Sequence, residues 1–153
     1  MENAISKPAA PGIKQAVLEP FVGLWNTTGL IKGNSGEPDI AINGTDVYEW
    51  LPGGFFLLHR VDVHMGEDRA QSIEIIGFDP AFNQYTMFSF DHLGNAGRME
   101  ARLQDGIWTF EGPTMRFTGS FSDKGNTLSG IWEQSDDDEN WRHWMDIMLS
   151  RAT

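Results

Sequence analysis

The stretch Tyr48–Met65, YEWLPGGFFLLHRVDVHM, constrains this chain more than any other. Two runs rich in aromatic and β-branched residues flank Pro52-Gly53-Gly54. Proline presets φ for a turn, and glycine supplies the positive φ that a tight reversal needs, so the pattern predicts a β-hairpin. No other segment is as long or as apolar. It reads as the central hairpin of an all-β barrel.

The remainder repeats the theme. Extended segments are expected at Phe21–Ile31, Ile40–Leu51, Phe55–Met65, Ala70–Phe78, Tyr85–Phe90, Gly97–Leu103, Ile107–Glu111, Met115–Phe121, Leu128–Gln134 and Trp141–Arg151, divided by Gly-, Asn-, Asp- and Pro-rich turns. A parallel crossover needs roughly a dozen residues or more, and these connections are shorter, so an antiparallel meander is expected. An open sheet of about ten twisted strands would leave two bare edges, and closure into a barrel removes them. One short helix is expected at Gly12–Glu19, with Ile13, Val17 and Leu18 as its apolar side and Pro20 ending it. It would plug one end of the barrel. Residues 1–11 read as a flexible arm and 12–153 as a single domain.

Composition excludes several classes. A chain of 153 residues can bury a real core. Six Trp and ten Phe imply a core or cavity wall built from rings. The net charge of -11 argues against nucleic acid and against anionic membranes, because both require clustered Lys and Arg. With no cysteine, disulfides, thiolate catalysis and Cys-based zinc sites are excluded. The opening MENAISKPAAPGIKQ has no apolar core, and no run approaches the roughly 18 apolar residues of a spanning helix. A soluble, cytoplasmic protein is expected.

Period-2 alternation assigns faces on four strands. In the third, Phe55, Leu57, His59, Val61, Val63 and Met65 share a side. In the last, Trp141, His143, Met145, Ile147 and Leu149 do. Met115, Phe117 and Phe121 face together in the eighth strand, as do Met99, Ala101 and Leu103 in the sixth. The second, fourth and fifth strands do not alternate clearly. His59 and His143 thus fall on otherwise apolar faces. Each is either a core imidazole satisfied by a neighbour or a polar anchor inside a cavity.

Other chemistry is weakly encoded. His64 and His92 lack metal-ligand spacing, and no HxH or HExxH occurs. The run Asp136–Asn140 lacks the Gly and the final Glu of a calcium loop and reads as a solvated turn. There is no GxSxG nucleophile elbow. Glu49, Glu74, Glu133 and Asp146 offer carboxylates on separate strands, but in a chain with 22 acidic residues that spread specifies no glycosidase pair.

Resemblances add to this reading. Phe21-Val22-Gly23-Leu24-Trp25 resembles the GxW opening of the calycin superfamily, which includes lipocalins and fatty-acid-binding proteins. That implies a Trp closing one end and packing on a late basic residue, here Arg151. Tyr48–Phe56, Ile75–Pro80, Arg116-Phe117 and Trp144-Met145-Asp146 resemble a bacterial family known as domain of unknown function 1579. The likeness covers nearly the whole chain after residue 15 and implies a calycin fold without an established activity. Asp137-Asp138-Glu139-Asn140 departs from the Asp-Gly expected in that family, which alters hairpin geometry rather than a site. The segment Arg142–Asp146 resembles the end of nitrobindin, a haem-carrying ten-stranded calycin, and implies haem ligation by His143. The Gly-rich first strand of nitrobindin is not matched by Asn26-Thr27-Thr28-Gly29.

The leading expectation is non-catalytic binding of a small, mostly apolar molecule in the barrel interior. His59, His143, Phe117, Trp132, Met145 and Leu57 are the candidate contacts. No catalytic residue, metal or cofactor is assigned. One alternative is an enzyme using the same cavity with a His general base; another is haem held by His143. A third is a filled barrel acting as a structural module, with Phe56, Leu58, Trp144 and Met148 outward as a homodimer surface. The Lys32–Asp39 loop is too short for a helical lid.

Overall fold

The computed structural model describes residues 10–137 and 139–152. The expected N-terminal arm falls largely outside them. Ten strands follow in sequence: β1 (Gly23–Ile31), β2 (Ile40–Trp50), β3 (Phe56–Met65), β4 (Asp68–Asp79), β5 (Gln84–Asp91), β6 (Ala96–Gln104), β7 (Ile107–Glu111), β8 (Met115–Ser122), β9 (Thr127–Gln134) and β10 (Arg142–Arg151). Each pairs antiparallel with its sequence neighbours, and β1 pairs with β10 to close the barrel. Every strand therefore has a partner on both sides, which is the physical gain of closure. The β2–β3 hairpin turns where the sequence predicts. Gly53 and Gly54 take φ of 96° and 78°, Leu51 N–H donates to the Phe56 carbonyl at 2.8 Å, and Gly54 N–H donates to the Leu51 carbonyl at 2.9 Å.

The plug is shorter than the expected helix. A single turn, α1 (Ile13–Ala16), is followed by a 3₁₀ turn at Glu19–Phe21. Pro20 has no N–H to continue an α-helix, so the backbone tightens instead: Phe21 N–H donates to Leu18 and Val22 N–H to Glu19. Ile13, expected on the apolar side, is 81% exposed, whereas Leu18 and Phe21 are buried. Phe21, expected to begin the first strand, instead drops its ring among Tyr48, Trp108, Phe110 and Phe121 at centroid distances of 4.9–6.3 Å. Tyr85 Oη donates to the Lys14 carbonyl and Trp50 Nε1 to Glu19 Oε2, both at 2.7 Å, and these bonds pin the plug to the strands.

Trp25 is fully buried beneath the plug and donates from Nε1 to the Phe21 carbonyl at 2.8 Å. The Arg151 guanidinium lies 4.2 Å from the centre of its ring and donates to the Val22 and Pro20 carbonyls at 2.7 Å. Gly23 explains the first letter of the GxW motif. Its φ is 138°, and a Cβ there would stand 2.6 Å from Arg151 Nη1. The larger apolar cluster gathers Phe21, Trp25, Tyr48, Trp108 and Phe110 around the plug. A smaller one, built on Ile42, Val63 and Met145, occupies the other end.

Candidate functional site

Between these two clusters lies a cavity of about 230 Å³. Most of its wall is apolar: Ile42, Val63, Met87, Met115, Leu128 and Ile147 contribute, with the rings of Phe117, Trp132 and Trp144. The polar part of the wall is concentrated on β1–β4. There Thr27, Asp46, Tyr48, His59, Ser72 and Glu74 reach the cavity.

His59 is the centre of that polar wall. Register places Tyr48 of β2, His59 of β3 and Glu74 of β4 side by side, and Asp46 lies two residues from Tyr48 on the same face. His59 is only 6% exposed, and both ring nitrogens are engaged: Nε2 with Asp46 Oδ2 at 2.6 Å, and Nδ1 with Glu74 Oε1. Thr27 Oγ1, on β1, donates to the other oxygen of Asp46. The Tyr48 ring stacks on the imidazole at 3.8 Å and 9°. Burial by itself disfavours the charged imidazole. The Glu74 charge and the hydrogen bonds to Asp46 and Glu74 outweigh it, and the His59 pKa is pushed up to about 9. Burial, with the Asp46 and Glu74 charges behind it, pushes the Tyr48 phenol well above its ordinary value. Both shifts favour the protonated form, of the imidazole and of the phenol beside it.

The residues expected from sequence are only partly brought together. His59, Phe117, Trp132 and Met145 border the cavity. Leu57 is fully buried but belongs to the cluster around the plug and does not reach the cavity. His143, expected on the inward face, is turned away. The β9–β10 register slips between His143 and Met145, leaving Trp144 as an extra residue. Below the bulge, Met145 pairs with Trp132 and faces in; above it, His143 pairs with Glu133 and faces out. The His143 side chain is 38% exposed and lies 3.3 Å from Asp146 Oδ1. The bulge also turns Trp144 to the cavity, and Lys32 N–H donates to its carbonyl at 3.1 Å. Trp141, expected beside His143 on the inner face, instead lies under the Arg116 guanidinium at 4.3 Å. The expected outward patch is likewise not assembled: Phe56 and Met148 are exposed, Leu58 is buried, and Trp144 borders the cavity.

Asp46, Glu74, Tyr48 and Thr27 complete the site, and sequence reasoning did not join them to His59. A signal was present. The glycine turn at 53–54 centres the hairpin so that Tyr48 meets His59, and the Gly66 turn does the same for His59 and Glu74. The second and fourth strands resisted a face assignment because their inward positions carry Asp46, Ser72 and Glu74 among apolar residues. The acidic turn behaves as a turn: Asp137 accepts from the Glu139 and Asn140 backbone N–H groups and from the Asn140 side chain. Among the described residues no helix is long and apolar enough to cross a membrane.

Fold and site together define an up-and-down ten-stranded barrel built around an internal cavity with one polar wall. The chain belongs to the family described as "Protein of unknown function (DUF1579)", whose model matches residues 10–148. Its fold is similar to that of Rv2717c from M. tuberculosis, known from a crystal structure, with a TM-score of 0.66 at 11% identity over 93% of this chain and 99% of that one. A de novo designed fluorescence-activating β-barrel aligns at a TM-score of 0.49 and 10% identity, over 92% of this chain and 100% of the design. At such identity the likeness to Rv2717c concerns the fold alone. No curated protein matches the sequence.

Proposed function

We propose that this protein binds a small, largely apolar molecule inside the barrel, without catalysing its conversion. The observation that carries the reading is the cavity itself: about 230 Å³ walled by apolar and aromatic side chains, with its polar groups gathered on one side. Small-molecule sites are commonly built this way, with apolar surface supplying contact area and a few polar groups fixing orientation. Phe117, Trp132 and Met145 supply the apolar contact and His59, through its carboxylate partners, the polar end. A His general base fits less well, because both nitrogens of His59 are already committed and neither has a lone pair free for a substrate proton. Haem ligation by His143 loses its support, since that imidazole lies on the outer face. We also place the chain among the calycins, on the Gly23-Leu24-Trp25 opening and on Arg151 lying over Trp25.

Native mass spectrometry of the protein purified from its host tests the reading. A retained adduct of low mass is expected. A cavity-filling variant, Ile147→Trp, should lose the adduct while keeping the fold. An adduct that persists in this variant would place binding elsewhere.

A further inference from the structure

We propose that the cavity selects ligands bearing a cationic, hydrogen-bond-donating nitrogen, that is, small amines on an apolar or aromatic frame, and rejects carboxylates of the same shape. This rests on the reading of the barrel interior as a ligand site and concerns the chemistry of the ligand's polar end.

Charge is the first argument. Among the described residues bordering the cavity, Asp46, Glu74 and His59 are the charged ones, and none is Lys or Arg. Two carboxylates face one imidazole, so the wall carries an excess of negative charge. An incoming carboxylate would meet no unpaired cation, and in a water-poor interior an unpaired charge is costly. Both nitrogens of His59 are spent on Asp46 and Glu74, which leaves the imidazolium no N–H to offer an anion.

Among the described residues, the unused capacity of the wall's charged groups is accepting. Thr27 and His59 occupy both oxygens of Asp46. Glu74 uses Oε1 for His59, and its Oε2 has no protein hydrogen-bond partner among the described residues. Every fully buried side-chain nitrogen or oxygen there has a partner, so this oxygen is open to the space beside it. Tyr48 gives an independent sign. It borders the cavity and is 7% exposed, yet its hydroxyl has no hydrogen-bond partner among the described residues. By the same reasoning this hydroxyl oxygen is open rather than enclosed, and an ammonium carries N–H groups for it and for Glu74 Oε2.

The walls suit the same group. Phe117 and Trp132 stand 5.4 Å apart, with Trp144 beside the same cavity, and aromatic faces attract a desolvated cation. A dry cavity of about 150 Å³ holds one benzene ring. The 230 Å³ found here leaves room for such a ring and a short amine arm.

Four probes that share a phenyl ring and a short arm decide the matter at pH 7: 2-phenylethylamine, 2-phenylethanol, 3-phenylpropanoate and propylbenzene. Trp132 and Trp144 serve as fluorescence reporters, with calorimetry as a check. The amine is expected to bind at least tenfold tighter than the alcohol, with the carboxylate weakest. Glu74→Gln should bring amine and alcohol to within about threefold. If that variant fails to fold, Tyr48→Phe, which removes one oxygen and keeps the stack, should weaken the amine more than propylbenzene. A carboxylate that binds as tightly as the amine would overturn the proposal. So would an amine preference that survives both substitutions. If propylbenzene and the alcohol bind and the amine does not, the amine proposal falls while the cavity reading stands. If none of the four binds, both fall.

Discussion

His59 and His143 carry the same sequence signature, a histidine among apolar residues alternating along a strand, and they end in opposite surroundings. His59 lies on β3, where pairing with β2 and β4 runs unbroken from Leu57 to Met65 on one side and from Phe56 to Met65 on the other. Alternation survives along that ladder, so the imidazole enters the barrel. His143 lies one residue beyond a bulge, and a single extra residue exchanges the two faces. The difference teaches that periodicity places a side chain only as far as its ladder is continuous. It also shows what an inward histidine demands. Two carboxylates and a threonine from three other strands surround His59, while His143 needs only a neighbouring aspartate and water.

The comparison can be broken most directly by truncation. His59→Ala leaves Asp46 and Glu74 facing each other without their shared cation, and breaking a buried ion pair in this way costs about 3–5 kcal/mol. His143→Ala removes an exposed side chain and should change stability by less than about 0.5 kcal/mol. Urea denaturation of both variants checks this, and equal effects would show that the two sites are not energetically distinct.

Proton linkage gives the next largest effect. The pKa of His59 in the folded state, about 9, lies above the ordinary 6.5, so the folded protein holds this proton more tightly than the unfolded chain. The resulting stabilisation, on the order of 3 kcal/mol, is complete below about pH 6.5 and is lost as pH rises through about 9. The groups facing His59 are Asp46 and Tyr48 from β2 and Glu74 from β4, with Thr27 of β1 behind Asp46. Tyr48 acts in the same direction at still higher pH, because its folded-state pKa is also raised. Melting temperatures between pH 6 and 9.5 should fall for the wild type and stay flatter for His59→Gln. A wild-type profile as flat as that of the variant would contradict the charged cluster.

Two smaller effects sharpen the contrast. Tyr48→Phe keeps the ring stacked on His59 and should cost no more than about 1 kcal/mol, measured by thermal unfolding. Diethyl pyrocarbonate, which acylates a free imidazole nitrogen, should modify His143 promptly and spare His59 until the protein unfolds. Peptide mapping by mass spectrometry reads both sites in one sample, and early modification of His59 would mean that one of its nitrogens is free.

The all-β class, the meander and the closed barrel were legible because turn chemistry and short connections act locally. Pro52-Gly53-Gly54 reverses the chain whatever surrounds it, and connections too short for a crossover leave antiparallel pairing as the outcome. His59 and Phe117 reach the cavity for the same reason, since parity is a local property of a regular strand; Met145 reaches it from beside the bulge, and Trp132 lies on a strand whose faces alternation did not assign. Leu57 and His143 mark its limits. Parity says which face a residue takes but not its height in the barrel, and it cannot register a bulge that depends on how the partner strand is seated.

By itself the chain determined its strands, its reversals and the inward turn of His59, because φ preferences and period-2 alternation need only neighbours along the sequence. Tertiary structure alone decided that Thr27, Asp46, His59 and Glu74 would meet, that Phe21 would become a plug, and that Trp144 would displace His143 from the interior. Those outcomes depend on register between strands, which distant turns and barrel closure set together, and on the requirement that a buried charge find its partners wherever the fold places them.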